Sequence, residues 1–178
     1  VAMRLCLSLF CFTLLLACKK EKAEVQHEVI QTAQKQENTT IQSVNYAELL
    51  PYLSKEDDKV YVVNFWATWC KPCVEELPFF ERINEEYKDQ NVEVLLVSLD
   101  FPTQIEEKVL PFIEKNKIRS KVILMSDPDQ NTWIPKIDET WSGAIPATII
   151  YTKNKRAFYE KAFTYEELIS ELNEFLNL

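Results

Sequence analysis

Cys70 and Cys73, separated by two residues, are the side chains in this sequence best suited to covalent chemistry. Two thiols at this spacing can meet in a disulfide or bind one metal ion together. When such a pair is reduced, the thiolate of one cysteine can attack a disulfide of another protein, and the second cysteine can resolve the mixed disulfide that forms. The pair therefore predicts dithiol–disulfide exchange, which passes two electrons to or from a partner protein.

A structural zinc site and a small structural disulfide can use the same spacing. Zinc needs about four ligands, and the other candidates, Cys6, Cys11, Cys18 and His27, all lie within the first 27 residues. A disulfide that closes so short a loop constrains the unfolded chain little, because the entropic effect grows with loop length. The redox interpretation is preferred over both, and no metal site is predicted.

The two cysteines lie where a predicted strand gives way to a predicted helix. Residues 60–63 form an apolar run typical of a buried strand, and a helical pattern follows over residues 74–87. The thiol of Cys70 is then close to a helix N-terminus, where free backbone N–H groups and the helix dipole favour a thiolate. This position makes Cys70 the predicted nucleophile and Cys73 the predicted resolving thiol.

The stretch over residues 62–78, VVNFWATWCKPCVEELP, resembles the active-site segment of the thioredoxin superfamily, and more narrowly that of the TlpA/ResA-like thiol–disulfide oxidoreductases. The narrower resemblance rests on Asn64, where cytoplasmic thioredoxins carry a buried Asp, and on residues 76–78. It covers about residues 45–178. The resemblance implies an α/β, thioredoxin-like fold with a central mixed sheet flanked by helices, and with a helix and a strand inserted at about residues 101–125.

Glu76 stands three residues after Cys73, so the two side chains would share one face of the helix. In the TlpA/ResA-like proteins a glutamate at this position is associated with tuning of the thiol pKa values, which implies a proton-exchange role for Glu76. The alternative is that Glu75 and Glu76 only complement the positive end of the helix dipole. The sequence leaves both interpretations open.

Pro146 stands at the entrance of a β-branched run over residues 147–150, where a residue that cannot donate to a sheet ladder is expected. In the thioredoxin superfamily the matching proline is cis and packs beside the cysteine pair. The resemblance thus implies that Ile145 and Pro146 form a cis bond and that the backbone of Ile145 pairs with an extended substrate segment. An ordinary trans proline at the start of an edge strand is the alternative.

Trp69 directly precedes Cys70 and is predicted to lie on an exposed loop, where it offers an apolar surface to extended partners. Phe65 and Trp66 end the predicted strand, and we expect them in the core. Trp69 is therefore the predicted substrate contact of the cysteine loop.

The beginning of the sequence predicts export. Residues 5–17 are apolar apart from two hydroxyl residues, a length typical of the central region of a signal peptide and short for a membrane span. The motif Leu-Leu-Ala-Cys at residues 15–18 resembles the lipobox of bacterial lipoproteins. That resemblance implies cleavage before Cys18 and a lipid on Cys18, which would anchor the protein to a membrane. An ordinary signal peptide cleaved near Ala17 is the alternative.

Three segments are therefore predicted: a signal peptide at residues 1–17, a flexible tether at residues 18–44, and one thioredoxin-like domain at residues 45–178. The tether is rich in Lys, Glu, Gln and Thr and has no period that would bury a face. The formal net charge of −8, from 20 basic and 28 acidic residues, predicts no electrostatic footprint for nucleic acid or anionic lipid. Membrane attachment would come from the lipid.

The remaining elements follow from apolar periodicity and turn residues. Strands are predicted at residues 60–66, 92–99, 122–125, 147–151 and 156–160, and helices at residues 45–53, 73–87, 103–116, from about 127 to 136, and after a capping box at Thr164 and Glu167. Between the last two strands, Asn154 would have to adopt a left-handed conformation if the turn is tight, because the sequence has no glycine there.

The resemblance implies an extracytoplasmic, membrane-anchored oxidoreductase that exchanges electrons with client protein thiols or disulfides and with a membrane electron donor or acceptor. It favours a reductase of cytochrome c maturation or thiol repair, on the periplasmic side and without a cofactor. Lys71 beside Cys70 would make the pair slightly more oxidising. Two alternatives are a disulfide-forming oxidase and a copper-binding thioredoxin-like chaperone, for which Met125 is the methionine to consider.

Overall fold

The computed structural model describes residues 40–176, and the predicted signal peptide, Cys18 and the predicted tether up to residue 39 lie outside this range. The strands are β1 (Gln42–Val44), β2 (Val60–Trp66), β3 (Val92–Ser98), β4 (Lys121–Met125), β5 (Ala147–Tyr151) and β6 (Arg156–Tyr159). The α-helices are α1 (Tyr46–Leu53), α2 (Lys71–Glu86), α3 (Leu110–Asn116), α4 (Gln130–Ile137) and α5 (Tyr165–Leu176). In this part of the chain, no helix is long and apolar enough to cross a membrane.

These strands form one sheet in the order β1-β4-β3-β2-β5-β6. The first four in this order are parallel to their neighbours, whereas β5 is antiparallel to β2 and β6 is antiparallel to β5. The predicted central mixed sheet is therefore confirmed. Trp66 at the end of β2 pairs with Ser98 at the end of β3. The loops that follow these two parallel strands therefore begin side by side, at the carboxyl ends of the strands.

Strand β2 is buried along its whole length and sends alternate side chains to the two faces of the sheet. Val62 and Trp66 pack in one cluster with buried residues of α2 and α5. Val63 and Phe65 pack in a second cluster with buried residues of α1 and α4. The predicted core positions of Phe65 and Trp66 are confirmed. Asn64 shares the face of Val62 and Trp66, so its side chain meets α2.

Strand β1 corrects the predicted domain boundary, because it lies inside the predicted tether at residues 18–44. Val44 pairs with Met125 of β4 and is fully buried, and Ile41 is also buried. The compact unit begins at Thr40. The sequence pattern missed β1 because a three-residue strand with two exposed side chains shows no apolar period.

The insertion predicted at about residues 101–125 is present and ends in β4, but the helix predicted at residues 103–116 is divided. A 3-10 turn and a π-helical turn precede α3, and the N–H of Leu110 donates to the carbonyl of Ile105 in a π-type bond. Pro111 follows directly. Proline has no backbone N–H to donate to the carbonyl of Glu107, and its ring clashes with that carbonyl in a regular α-helix, which accounts for the break.

The connection from β5 to β6 does not use the left-handed conformation considered for Asn154. The N–H of Thr152 donates to the carbonyl of Lys155 at 2.8 Å. The hydroxyl of Thr152 accepts the N–H groups of Asn154 and Lys155 at 3.3 and 3.1 Å. Since Tyr151 pairs with Arg156, four residues form the loop, and it closes without a positive φ.

The last helix, α5, begins with the predicted capping box. A carboxylate oxygen of Glu167 accepts the N–H of Thr164 at 2.8 Å, and the hydroxyl of Thr164 accepts the N–H of Glu167 at 3.2 Å. Three buried residues of α5, Leu168, Leu172 and Phe175, then pack with α2 against the same face of the sheet. This packing closes the core behind the cysteine pair.

Candidate active site

Cys70 and Cys73 form a disulfide at the N-terminus of α2, with 5.3 Å between their Cα atoms. Cys70 is the N-cap residue, and its Sγ accepts the N–H of Cys73 at 3.3 Å. Cys70 keeps 6% of its surface exposed, whereas Cys73 is fully buried. Only Cys70 can therefore be reached by the sulfur of another protein. In the reduced protein, the free N–H groups of the helix N-terminus favour its thiolate.

A buried carboxylate that is absent from the predicted set fixes the loop before Cys70. Asp100 is 1% exposed and accepts the N–H and the hydroxyl of Thr68 at 3.0 and 2.6 Å. The hydroxyl of Ser98 also donates to it at 2.8 Å. This Asp100–Thr68 clamp exists only because β2 and β3 are neighbours in the sheet. Its one sequence signal was a serine and an aspartate at the end of an apolar strand.

The predicted proline loop lies against the disulfide. The Ile145–Pro146 peptide bond is cis, and the carbonyl oxygen of Ile145 is 3.7 Å from Sγ of Cys70. Pro146 is buried directly before β5, while Ile145 is half-buried. The preceding turn is held by the indole N–H of Trp141, which donates to the carbonyl of Ala144 at 2.8 Å. The structure thus brings together the residues that were predicted from two distant stretches of sequence.

Glu76 lies on the inner face of α2 with 1% of its surface exposed. Its Oε1 accepts a hydrogen bond from Nδ2 of Asn64 at 2.9 Å, and its Oε2 accepts the backbone N–H of Phe163 at 2.7 Å. Burial raises the pKa of Glu76 to about 7, because the carboxylate loses its hydration, and the two hydrogen bonds act in the opposite direction. Glu76 can therefore gain or lose a proton near neutral pH, one helical turn from Cys73.

Glu75, the neighbouring acid, has a different environment. Its side chain is 64% exposed and forms an ion pair with Lys71 at 3.7 Å. Exposed pairs of this kind contribute little to stability. The helix-dipole interpretation therefore suits Glu75, whereas the burial and hydrogen bonds of Glu76 favour the proton-exchange interpretation.

Asn64 connects Glu76 to the strand that follows Pro146. Besides its bond to Glu76, Nδ2 of Asn64 donates to Oγ1 of Thr148 at 3.1 Å, and Thr148 faces Asn64 across the β2–β5 pair. All three polar side chains are buried, and among the described residues Oδ1 of Asn64 finds no hydrogen-bond partner. Asn64, which marked the narrower resemblance, therefore holds the carboxylate of Glu76 in place.

The aromatic residues before Cys70 divide between surface and core. Trp69 is 63% exposed, which agrees with its predicted place on an exposed loop. Trp66 is fully buried and packs against Phe112 of α3, with 5.3 Å between the ring centroids. Phe65 lies against Trp141, with 4.8 Å between the centroids. The rings behind the cysteine loop therefore support it, and Trp69 faces solvent.

A metal site at the cysteine pair would need further ligand side chains beside it. Over residues 40–176, no group of three or more His, Cys, Asp and Glu side chains is placed to hold a metal ion. Met125, the methionine considered for copper, packs in the cluster of Val63 and Phe65, whereas both cysteines pack in the cluster on the other face of the sheet. Met125 therefore cannot supply the cysteine pair with a further ligand.

Comparison with known proteins places the chain in a family. Residues 22–156, more than half of the chain, match the AhpC/TSA family. The chain belongs to the AhpC/TSA family. This AhpC/TSA protein is 31% identical over 93 residues to the thiol–disulfide oxidoreductase ResA of Bacillus cereus, a match that covers 52% of this chain and 48% of ResA. It is 32% identical over 114 residues to the thioredoxin-like protein YneN of Bacillus subtilis, with 58% and 63% covered.

These matches to ResA and YneN confirm the narrower resemblance expected from the cysteine segment. The AhpC/TSA protein spans about half the length of the relatives that it matches. The oxidoreductase activity in the name of ResA is therefore a property of ResA, and for this chain the same activity is a proposal.

Solved structures share the fold of this AhpC/TSA protein. The thioredoxin-related protein from Neisseria meningitidis serogroup B superposes with a TM-score of 0.58 at 20% identity, covering 70% of this chain and 88% of that one. A secreted thiol–disulfide isomerase from Corynebacterium glutamicum superposes with a TM-score of 0.57 at 20% identity, covering 68% and 73%. At this identity the likeness shows the fold alone, and it confirms the predicted thioredoxin-like architecture.

Proposed function

We propose that this AhpC/TSA protein is a thiol–disulfide oxidoreductase that exchanges dithiol and disulfide with client proteins through Cys70 and Cys73. One observation carries the proposal: the two sulfurs are bonded at a helix N-terminus, and Cys70 reaches the surface while Cys73 is buried. Such a pair has one attacking and one resolving sulfur. The similarity to relatives named ResA thiol–disulfide oxidoreductases supports the same activity.

In the reducing direction, the thiolate of Cys70 attacks one sulfur of a client disulfide and displaces the other as a thiolate. The client is then joined to Cys70 as a mixed disulfide. The thiolate of Cys73 attacks Sγ of Cys70, releases the second client sulfur and closes the Cys70–Cys73 disulfide. The client gains two electrons and two protons, and the cysteine pair loses them.

Glu76 takes part in the proton step of this exchange. Buried Cys73 must lose its thiol proton before it can attack, and bulk water does not reach it. Glu76 lies on the same face of α2, and its pKa of about 7 allows it to accept a proton near neutral pH. Asn64 and the backbone of Phe163 hold its two oxygens in place.

The client segment binds beside Cys70. The carbonyl oxygen of Ile145 lies 3.7 Å from Sγ of Cys70, so an extended segment that pairs with the backbone of Ile145 brings its sulfur to the nucleophile. Pro146 fixes that backbone next to β5. The exposed ring of Trp69, on the loop between β2 and α2, gives the client segment an apolar contact.

Two serine variants test the proposal. Cys70→Ser should abolish the reduction of insulin disulfides, because the attacking sulfur is lost. Cys73→Ser should still attack but cannot resolve, so a covalent adduct with the client should accumulate and appear as added mass under non-reducing conditions. Each variant keeps the other cysteine of the pair, so the two together separate the attacking sulfur from the resolving sulfur. A Cys70→Ser protein that reduces insulin at the wild-type rate would disprove the proposed activity.

We further propose that the protein works outside the cytoplasm as a lipid-anchored reductase, with client protein disulfides and a membrane electron donor as its partners. The signal-peptide pattern of residues 1–17 and the lipobox motif ending at Cys18 support this location. Rapid alkylation in cells should find the Cys70–Cys73 pair mostly reduced, whereas a mostly oxidised pair would favour an oxidase. A labelled fatty acid fed to cells should be incorporated into the wild type and not into Cys18→Ala, and anchoring through Cys18 is contradicted if the wild type takes up no label.

A further inference from the structure

Three large apolar side chains in residues 40–176 are strongly exposed: Trp69 at 63%, Phe101 at 67% and Leu50 at 40%. A single exposed apolar side chain is common on protein surfaces and has no special meaning. Two of these three, however, are aromatic and belong to the loops that leave the sheet beside the disulfide. The exchange chemistry described above gives Phe101 no role.

The Asp100–Thr68 clamp joins those two loops. Thr68, which precedes Trp69, donates two hydrogen bonds to the carboxylate of Asp100, which precedes Phe101. Consecutive Cα atoms are about 3.8 Å apart. Trp69 and Phe101 therefore each follow directly after a residue of the same clamp. Trp69 is also the residue directly before Cys70.

The backbone of Phe101 is held on both sides. Asp100 before it is fixed by the clamp, and Pro102 after it restricts Phe101 to the extended conformation seen in the structure, with φ −70° and ψ 141°. The carbonyl of Phe101 also accepts the N–H of Gln104 at 2.8 Å. An exposed ring on such a fixed backbone loses little conformational freedom when a partner covers it, which is the property of an anchoring residue.

We propose that Trp69 and Phe101 form an aromatic rim that binds an apolar side chain of the client polypeptide close to its reacting cysteine. The inference rests on the proposed disulfide exchange and names its substrate class: an extended segment in which a cysteine has an aromatic or large aliphatic neighbour. Phe101 is the specificity-determining residue of this rim.

The geometry of exchange explains why a neighbouring side chain of the client is selected. A client sulfur that reacts with Cys70 must approach Sγ at the end of α2, next to both loops. An extended chain advances about 3.3–3.6 Å per residue, so the residues on either side of the reacting cysteine reach the loops that carry the two rings. The rim therefore strengthens client binding, and the sulfur chemistry stays with Cys70 and Cys73.

The test uses two peptides that differ only in the residue next to a disulfide-bonded cysteine, Phe in one and Ser in the other. We measure the second-order rate constant with which the reduced protein reduces each peptide. Each value is divided by the rate constant of the same variant with oxidised glutathione, which corrects for changes in the reactivity of Cys70 between variants. The wild type should prefer the Phe peptide about tenfold. Phe101→Ala should lower this preference to about twofold or less. Cys70→Ser measures the background reduction that does not need the attacking sulfur.

Two further variants sharpen the comparison. Phe101→Tyr keeps the ring and should keep the preference. Leu50→Ala removes the third exposed apolar side chain, which lies on α1, and should keep it as well. Retention of the preference in Phe101→Ala, or its loss in Leu50→Ala, overturns the inference.

The rates of the wild-type protein distinguish a failure of the rim from a failure of the exchange activity. A wild-type protein that reduces both peptides without preference overturns the inference alone, whereas one that reduces neither peptide nor glutathione overturns the proposed function with it. The wild type and Phe101→Ala are also tested for binding to phosphatidylcholine–phosphatidylglycerol vesicles. If Phe101→Ala abolishes vesicle binding but leaves the peptide preference unchanged, the rim contacts a lipid surface, and the client contact is overturned.

Discussion

Burial gives the Glu76 carboxyl a pH dependence that an exposed glutamate lacks. Its pKa in the folded protein is about 7, above the ordinary value of 4.5. Between these values the folded state holds the proton more tightly than the unfolded state does, so linkage makes the folded protein less stable as pH rises from about 4.5 to about 7. Above this window the penalty for the buried carboxylate is complete and is on the order of 3 kcal/mol.

Glu76→Gln removes this titration with little change in shape. The new amide oxygen can accept the N–H of Phe163. The new amide NH2 takes the position that now accepts from Nδ2 of Asn64, so it can donate to Oδ1 of Asn64 once the Asn64 amide flips, and Oδ1 has no other partner among the described residues. Between pH 5 and pH 8 we expect the variant to lose less stability than the wild type does, by on the order of 2–3 kcal/mol. Urea denaturation of the oxidised protein at the two pH values measures the difference.

The same variant tests the proton step. If Glu76 accepts the proton of Cys73, the pH profile of thiol alkylation in the reduced protein must shift in Glu76→Gln. An unchanged profile would show that the carboxyl takes no part in the exchange. Glu75→Gln is the matched control, because Glu75 is the exposed neighbour on the same helix, and it should behave as the wild type in both measurements.

The ends of β2 and β3 act together on the cysteine loop, and the Asp100–Thr68 clamp is the contact between them. Asp100→Asn keeps the size of the side chain but replaces one acceptor oxygen with an NH2 group that cannot accept from Thr68 or Ser98. We expect a loss of about 1–3 kcal/mol in the free energy of unfolding, as for other buried groups left without a partner. Insulin reduction should also slow, because the loop before Cys70 is less ordered.

Denaturation and insulin assays of Asp100→Asn are compared with those of Asp89→Asn. Asp89 is exposed in the 3-10 turn after α2, so its variant controls for the loss of one negative charge. Equal stability of the two variants would show that the clamp adds little.

Some elements were predictable from the sequence and others were not, for reasons that differ from element to element. Strand β2 was predicted at its observed bounds because all seven of its residues are buried and all except Asn64 are apolar or aromatic. The helix before β4 was predicted as one piece, since periodicity does not show how a chain accommodates Pro111. The turn after β5 was not predictable, because the hydroxyl of Thr152 accepts two backbone N–H groups and so closes the turn without a left-handed residue.

The compact unit as a whole includes β1, so its edge strand should contribute to stability. Val44 is fully buried between the sheet and α1 and pairs with Met125. Val44→Ala should lower the free energy of unfolding by about 2 kcal/mol through lost apolar burial. Ser43→Ala, at an exposed position of the same strand, should change it by less than about 0.5 kcal/mol. Equal stability of both variants would contradict a stabilising role for β1 and favour the predicted tether at residues 18–44.

The sequence by itself predicted the cysteine pair and the order of most helices and strands, because spacing and periodicity are local properties of a chain. The proline loop beside the pair was implied by the resemblance to the thioredoxin superfamily. The tertiary structure alone decided which distant residues meet. Thr68 and Asp100 are 32 positions apart and contact each other only when β2 and β3 pair. The same pairing places Trp69 and Phe101 each next to a residue of this contact. The burial of α2 against the sheet gives Glu76 its raised pKa, because hydration is lost only in the packed protein.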